Sequence, residues 1–218
     1  MIFHSDVEEV DRSRVQRAVA DILTYGDSFH KKIARFIDKT ELVLFVGPVS
    51  VVRGSGSVQL DDMEAARLRV LDGELGLREA ASYVRLNIAR ETIDTGGQQG
   101  IEGTLVHEGK HAMDFALMLS SFSFGGERIF NPDAFQKEFS AHLTAAYYMW
   151  RRGGTFIDEG VSLGLLEKNG DLVRVSPDGI RDRLKRRYGL SPETPGSRLE
   201  TASNPPISSP RKKWLGLL

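Results

Sequence analysis

The pentad His107-Glu108-Gly109-Lys110-His111 constrains this chain more than any other stretch. On a helix, residues i and i+4 share one face. Both imidazoles can then reach a single tetrahedral zinc ion. Glu108 stands beside the first of them, where its carboxylate can take a proton from a water that the ion acidifies toward a pKa of ~7. Little more than one helical turn thus supplies two ligands and a general base. An exposed helix with two surface histidines would use the same residues, but the flanks speak against it. Thr104, Leu105 and Val106 precede the pentad, and Ala112, Met113, Phe115 and Ala116 follow it. Unpaired histidines on so apolar a helix would be costly.

Composition limits the remaining ligands. The 218 residues include no cysteine, so disulfides, thiolate metal sites and cysteine nucleophiles are excluded, and a metal must be held by His, Asp or Glu. The length suits one domain, read as residues 1–190, followed by a flexible tail over 191–218 where the composition shifts to Pro, Ser, Thr and Gly. With 29 basic and 30 acidic residues the net charge is -1. No field of one sign gathers nucleic acid or anionic lipid, so neither nucleic acid nor a membrane is expected as partner. The start, Met1-Ile2-Phe3-His4-Ser5-Asp6, turns acidic at once and does not read as a signal peptide. No stretch approaches the length of a membrane span. A cytoplasmic protein is the expectation, although a module cut from a larger exported protein would read the same way.

Hydrophobic spacing gives a coarse order of elements. Val10, Val15, Val19, Ile22 and Leu23 recur at helical spacing, and Gly26 divides the segment from Val7 to Ile37 into two helices. Leu42 to Val52 reads as a strand that Pro48 makes an edge strand, a bent one or two short ones. Arg53 to Ser57 reads as a turn, and Asp61 to Leu77 is ambiguous. Ala81 to Ala89 alternates and is expected to be a strand. Thr95 to Gly100 reads as a glycine-rich loop before a helix from Ile101 to Leu119. A loop with Gly125, Gly126, Asn131 and Pro132 leads to a helix from Asp133 to Arg151. A short strand pair turns at Lys168 to Asp171, and Asp178 to Tyr188 reads as a last helix.

The segment Thr104 to Met113 resembles the extended signature of zincin metallopeptidases. Thr104 and Met113 match that signature, whereas Lys110 puts a charge where these enzymes usually carry none, and Gly109 is a weak helix former. A catalytic site needs a third protein ligand and an open position. The metzincin pattern would need a Gly three residues after His111 and a third His six after it, where this chain has Asp114 and Leu117. The gluzincin pattern takes a Glu from a downstream helix, often within E-x-x-A, and Glu138 with Ala141 is similar to it. That resemblance implies Glu138 as third ligand, with His142 and Asp114 as the alternatives. A solvated helix carboxylate is the competing reading of Glu138. His142 lies one turn beyond Glu138, where thermolysin-like enzymes place an Asp that orients a zinc-bound His, and Asp114 could orient an imidazole itself. Tyr147 and Tyr148 are candidates for a hydrogen bond to an oxyanion, and packing is the plainer role for both.

The resemblance implies an α+β, zincin-like fold: a small sheet packed on the HExxH helix, followed by a second ligand-bearing helix. It implies one Zn2+ per chain and hydrolysis of a peptide or protein substrate. In zincins the edge of the strand before the motif pairs with an extended substrate, which here points to Ala81 to Ala89. The loop Gly96 to Gly103 lacks the Gly-Lys-Ser/Thr ending of a phosphate loop and reads as the entry to the active-site helix. Two other classes compete: a zinc site that only braces the fold, and a regulatory interaction module whose charged N-terminal helices dock a partner.

Overall fold

The helical spacing near the N-terminus produces two helices, α1 (Glu9–Tyr25) and α2 (Ser28–Lys39), with Gly26 between them. A computed structural model gives the structure, and it describes residues 1–62, 65, 66, 68, 69, 75–121 and 130–198. Val15, Ala18, Val19 and Ile22 of α1 are buried, as are Ile33, Ala34, Phe36 and Ile37 of α2. The Asp27 side chain caps α2 by accepting from the backbone N–H groups of Phe29 and His30. His30 is itself buried and donates through Nε2 to the Thr144 carbonyl at 3.0 Å, which ties α2 to a distant helix.

Four strands form a mixed sheet in the order β1-β2-β4-β3: β1 (Ile2–Phe3), β2 (Val43–Gly47), β3 (Gly56–Leu60) and β4 (Val84–Ala89). β2 lies parallel to both β1 and β4, whereas β3 runs antiparallel to β4. Two expectations are corrected here. The strand expected over Leu42 to Val52 ends at Gly47, and it has partners on both sides rather than one. Pro48, with φ −63°, instead starts the short helix α3 (Val49–Val52), because its fixed φ suits a helix entry and it has no N–H for a ladder. The strand expected over Ala81 to Ala89 begins at Val84 after a 3-10 turn, and it is an inner strand held by β2 and β3. Gly56 to Leu60 forms the edge on that side, where a turn ending at Ser57 was expected.

A four-residue helix α4 (Leu77–Ala80) precedes β4, and β4 runs directly into α5 (Arg90–Ser120). The loop expected over Thr95 to Gly100 is helical apart from Gly97, whose φ of 56° and ψ of −149° lie in a region open only to glycine. Gly97 is the kink at which two helical segments of α5 meet. α6 (Ala134–Arg152) starts under a capping box formed by Asp133 and Gln136. Gly153 and Gly154, both at positive φ, turn the chain into α7 (Thr155–Ser162), a helix that the spacing did not reveal. The hairpin β5 (Leu166–Asn169) and β6 (Leu172–Val175) follows, then α8 (Pro177–Tyr188), capped by the Ser176 hydroxyl. The architecture is α+β. Among the described residues no helix is long and apolar enough to cross a membrane.

Of the segment read as a tail, residues 191–198 are described. They fold back on the start of α6, where the Phe135 N–H donates to the Pro195 carbonyl at 2.8 Å. The stretches 63–64, 67, 70–74, 122–129 and 199–218 lie outside the described residues, and with them Gly125, Gly126, the middle of the Asp61 to Leu77 segment and the end of the tail.

α5 and α2 approach closely at Gly109. A Cβ there would come within 2.7 Å of Ile33 Cγ2 and 2.8 Å of Ile37 Cδ1 on α2. The weak helix former noted in the sequence is thus the residue that lets α5 and α2 touch. Gly109→Ala gains about 1 kcal/mol of helix propensity but overpacks the contact by about 1–3 kcal/mol. The expected outcome is a net loss of stability, seen as a lower urea midpoint at unchanged m-value.

Candidate metal centre

α5 presents His107, Glu108 and His111 on the face turned away from α2, and α6 packs against α5 so that Glu138 meets them. The ligand atoms of His107, His111 and Glu138 all lie within 4.8 Å of one another. His107 Nε2 and His111 Nε2 are 3.2 Å apart. Glu138 Oε1 is 3.4 Å from His111 Nε2, and its Oε2 is 3.7 Å from His107 Nε2. Three atoms at ~2.1 Å from a tetrahedral ion are separated by roughly 3.4 Å. The observed spacings therefore fit one ion with little movement. Two imidazole nitrogens this close repel through their lone pairs unless a proton or a cation lies between them, which is a second reason that the residues present fit a metal.

Electrostatics inside the cluster follow from burial. His107 is held well below the ordinary histidine value by burial, and further by His142, His111 and Arg183. Burial also opposes charge on His111, but the Glu138 carboxylate overcomes it and raises the value, with help from Glu108 and Asp114. Burial would raise Glu138, yet His111 holds its carboxyl down. His111 and Glu138 therefore favour each other's charged form, beside a His107 whose charged form is disfavoured. Burial pushes Glu108 up to about 7, against the pull of His111. Its side-chain stem lies against the edge strand: a Cβ on Gly56 would stand 2.6 Å from Glu108 Cγ.

The other candidates separate. His142 packs its ring on His107 with centroids 4.5 Å apart, and its Nε2 is buried without a hydrogen-bond partner among the described residues. It is not part of the ligand group, and burial lowers its pKa to about 4. Asp114 is buried and pairs with Lys110 one turn back, which reconciles the unusual charge inside the pentad with a buried helix face. It reaches His111 through charge, while its carboxylate is bonded to Lys110 rather than to an imidazole. Tyr147 is exposed. The Tyr148 hydroxyl is buried and donates to Glu102 Oε2 at 2.6 Å, in a network completed by Arg152. Neither tyrosine lines a cavity at the cluster.

Two cavities meet at the cluster. A small one of about 70 Å³ is bordered by Phe115, Ala134 and Lys137, and a larger cleft of about 840 Å³ runs along the glycine face of α5. Gly100, Gly103 and His107 follow one another at helical spacing on that floor, and Gly96 joins them from before the kink. Tyr188, at the end of α8, borders both cavities, as do His107, Glu108 and Gly56. Sequence reading did not find Tyr188, Arg183 or the strand Gly56 to Leu60. No local signal marks the first two, because only the return of the chain through α7 and the hairpin brings α8 to the cluster. Comparison with family models, curated proteins and solved structures finds no match for this chain.

Titration of the metal-free protein with Zn2+ is expected to show one ion bound per chain, with His107→Ala and Glu138→Ala each abolishing tight binding. The ion must displace a proton that Glu138 favours on His111, so binding releases protons and weakens as the pH falls. Calorimetry in two buffers of different ionisation heat reads that release directly.

Proposed function

We infer that this chain is a zinc-dependent peptidase of zincin-like architecture. The reading is carried by one observation: His107, His111 and Glu138 converge with the Glu108 carboxylate at the junction of two open cavities, under an edge strand. A His-His-Glu donor set suits Zn2+, which when bound acidifies water and polarises a carbonyl.

The chain's own residues then have definite tasks. A peptide carbonyl carbon is attacked by the oxygen of a water whose proton passes to a Glu108 carboxylate oxygen, and Glu108 returns that proton to the leaving nitrogen as the C–N bond breaks. A carboxyl at about 7 in the metal-free protein is suited to both halves of this transfer. A nearby cation can only lower that value, so the acidic limb of kcat/KM is expected at or below pH 7. Tyr188 stands where its hydroxyl can donate to the oxygen of the carbonyl under attack, the role considered earlier for Tyr147 and Tyr148. The strand that offers ladder groups to an extended peptide is β3, through Gly56 to Val58, rather than Ala81 to Ala89, whose both sides are already paired. Gly56 is required there because its backbone passes within contact of Glu108 and Thr104.

Glu108→Gln is expected to keep one zinc per chain while losing about 100-fold or more of kcat on an unfolded protein substrate, the usual worth of a general base. Metal content and activity measured on the same preparation separate this from a site that only braces the fold, for which the substitution would change neither. Gly56→Ala adds a methyl 2.6 Å from Glu108 Cγ, and kcat is expected to fall at least tenfold with metal content unchanged.

A further inference from the structure

The larger cleft carries two cations that the reaction above does not use. Arg183 and Arg187 stand one turn apart on α8, and both line it. Cations in the last turn of a helix meet its free carbonyls favourably, which accounts for the exposed Lys185, Arg186 and Arg187. It does not account for Arg183, which lies before that turn and is half-buried. One Nη of Arg183 donates to the Leu163 carbonyl at 3.2 Å, while its Nε is buried without a hydrogen-bond partner among the described residues. Burial, and next the like charge of Arg187, disfavour its charged form. No carboxylate among the described residues pairs with either arginine. The acids that share the cleft are engaged: Glu91 accepts the Val49 N–H at 2.9 Å, Glu159 accepts the Gln99 amide at 2.7 Å, and Glu108 lies under β3.

A half-buried guanidinium without an anion, with a second cation one turn away, is costly to keep. Guanidinium groups match the oxygens of carboxylates and phosphates in number and direction. The pair adjoins the metal cluster, since Arg183 and Arg187 line the same cleft as His107 and His142. We propose that Arg183 and Arg187 form a subsite for an anionic group on the substrate, a carboxylate or phosphate of a peptide that lies in the larger cleft beside His107. This rests on the peptidase reading for the peptide nature of the ligand, and on the cleft itself for its charge.

The test is binding of labelled peptides to zinc-loaded Glu108→Gln protein, followed by fluorescence anisotropy. One peptide frame carries a single Glu, Gln or phosphoserine at an internal position, and a second ends in a free or an amidated C-terminus. At least one anionic member is expected to bind about tenfold or more tighter than its neutral twin, the effect of one charge-assisted hydrogen bond, and which one does so identifies the source of the anion. Arg187→Gln, on an exposed residue, is expected to remove most of that preference, and Arg187→Lys to restore part of it. Arg183→Gln should do the same if its circular dichroism shows it folded. Equal binding of charged and neutral twins overturns the proposal, as does a preference that survives Arg187→Gln and Arg187→Lys alike. Absence of cleavage by the wild type would remove the peptidase reading and leave an anion-selective cleft standing. Cleavage without anion preference would remove the subsite alone.

Discussion

Everything at the centre depends on how closely α5 can approach its neighbours on two sides at once. On one side Gly109 lets the helix settle on Ile33 and Ile37 of α2. On the other, the small residues Ala141 and Ala145 on α6 are buried, and Gly103 brings its backbone near Met149. His30 adds a third restraint by holding α2 to the Thr144 carbonyl of α6. With both helices fixed, the backbone of Glu138 is held opposite the two imidazoles, which brings the cluster together even though each member would be better hydrated alone.

The electrostatic consequence is a site with opposite needs in neighbouring residues. His111 is stabilised as a cation by Glu138, while His107 next to it is held neutral by burial and by His142 and His111. The two imidazoles thus differ in how readily each holds a proton, with His111 favoured over His107. Glu108 stands near neutrality beside them, and Tyr188 closes the cluster from α8. The arrangement gathers the three candidate ligand atoms within 4.8 Å of one another, with Glu108 bordering both cavities.

Much of this was legible in the residues. The pentad, its apolar flanks and the Glu138 helix pointed to the three residues that converge, and periodicity placed α1, α2 and α6 closely. What escaped was set by tertiary pairing. Gly54 and Gly56 made the β3 region look like a turn, because composition cannot show that β4 offers it a ladder. The glycines from Gly96 to Gly103 looked like a loop, though only Gly97 departs from helical geometry and the rest floor a cleft. Pro48 was read as weakening a strand when it ends one. Tyr148 was a fair candidate by position on its helix, but Glu102 and Arg152, distant in sequence, claim its hydroxyl. Tyr188 and the arginines of α8 reach the cluster through a path that no local pattern encodes.

The two positions between Glu108 and His111 show what the fold asks of a motif beyond its chemistry. Neither Gly109 nor Lys110 touches the ligand cluster, yet neither is free to vary: one is sized by the isoleucines of α2, and the other is one half of a buried ion pair with Asp114. A pattern that leaves both places open describes what a metal needs and ignores what this helix needs. Grafting the pentad onto another helix would therefore carry two demands with it, a flat partner against the glycine and an acid one turn past the lysine. A graft of the pentad without that partner and that acid would carry a gap beside the glycine and an uncompensated ammonium.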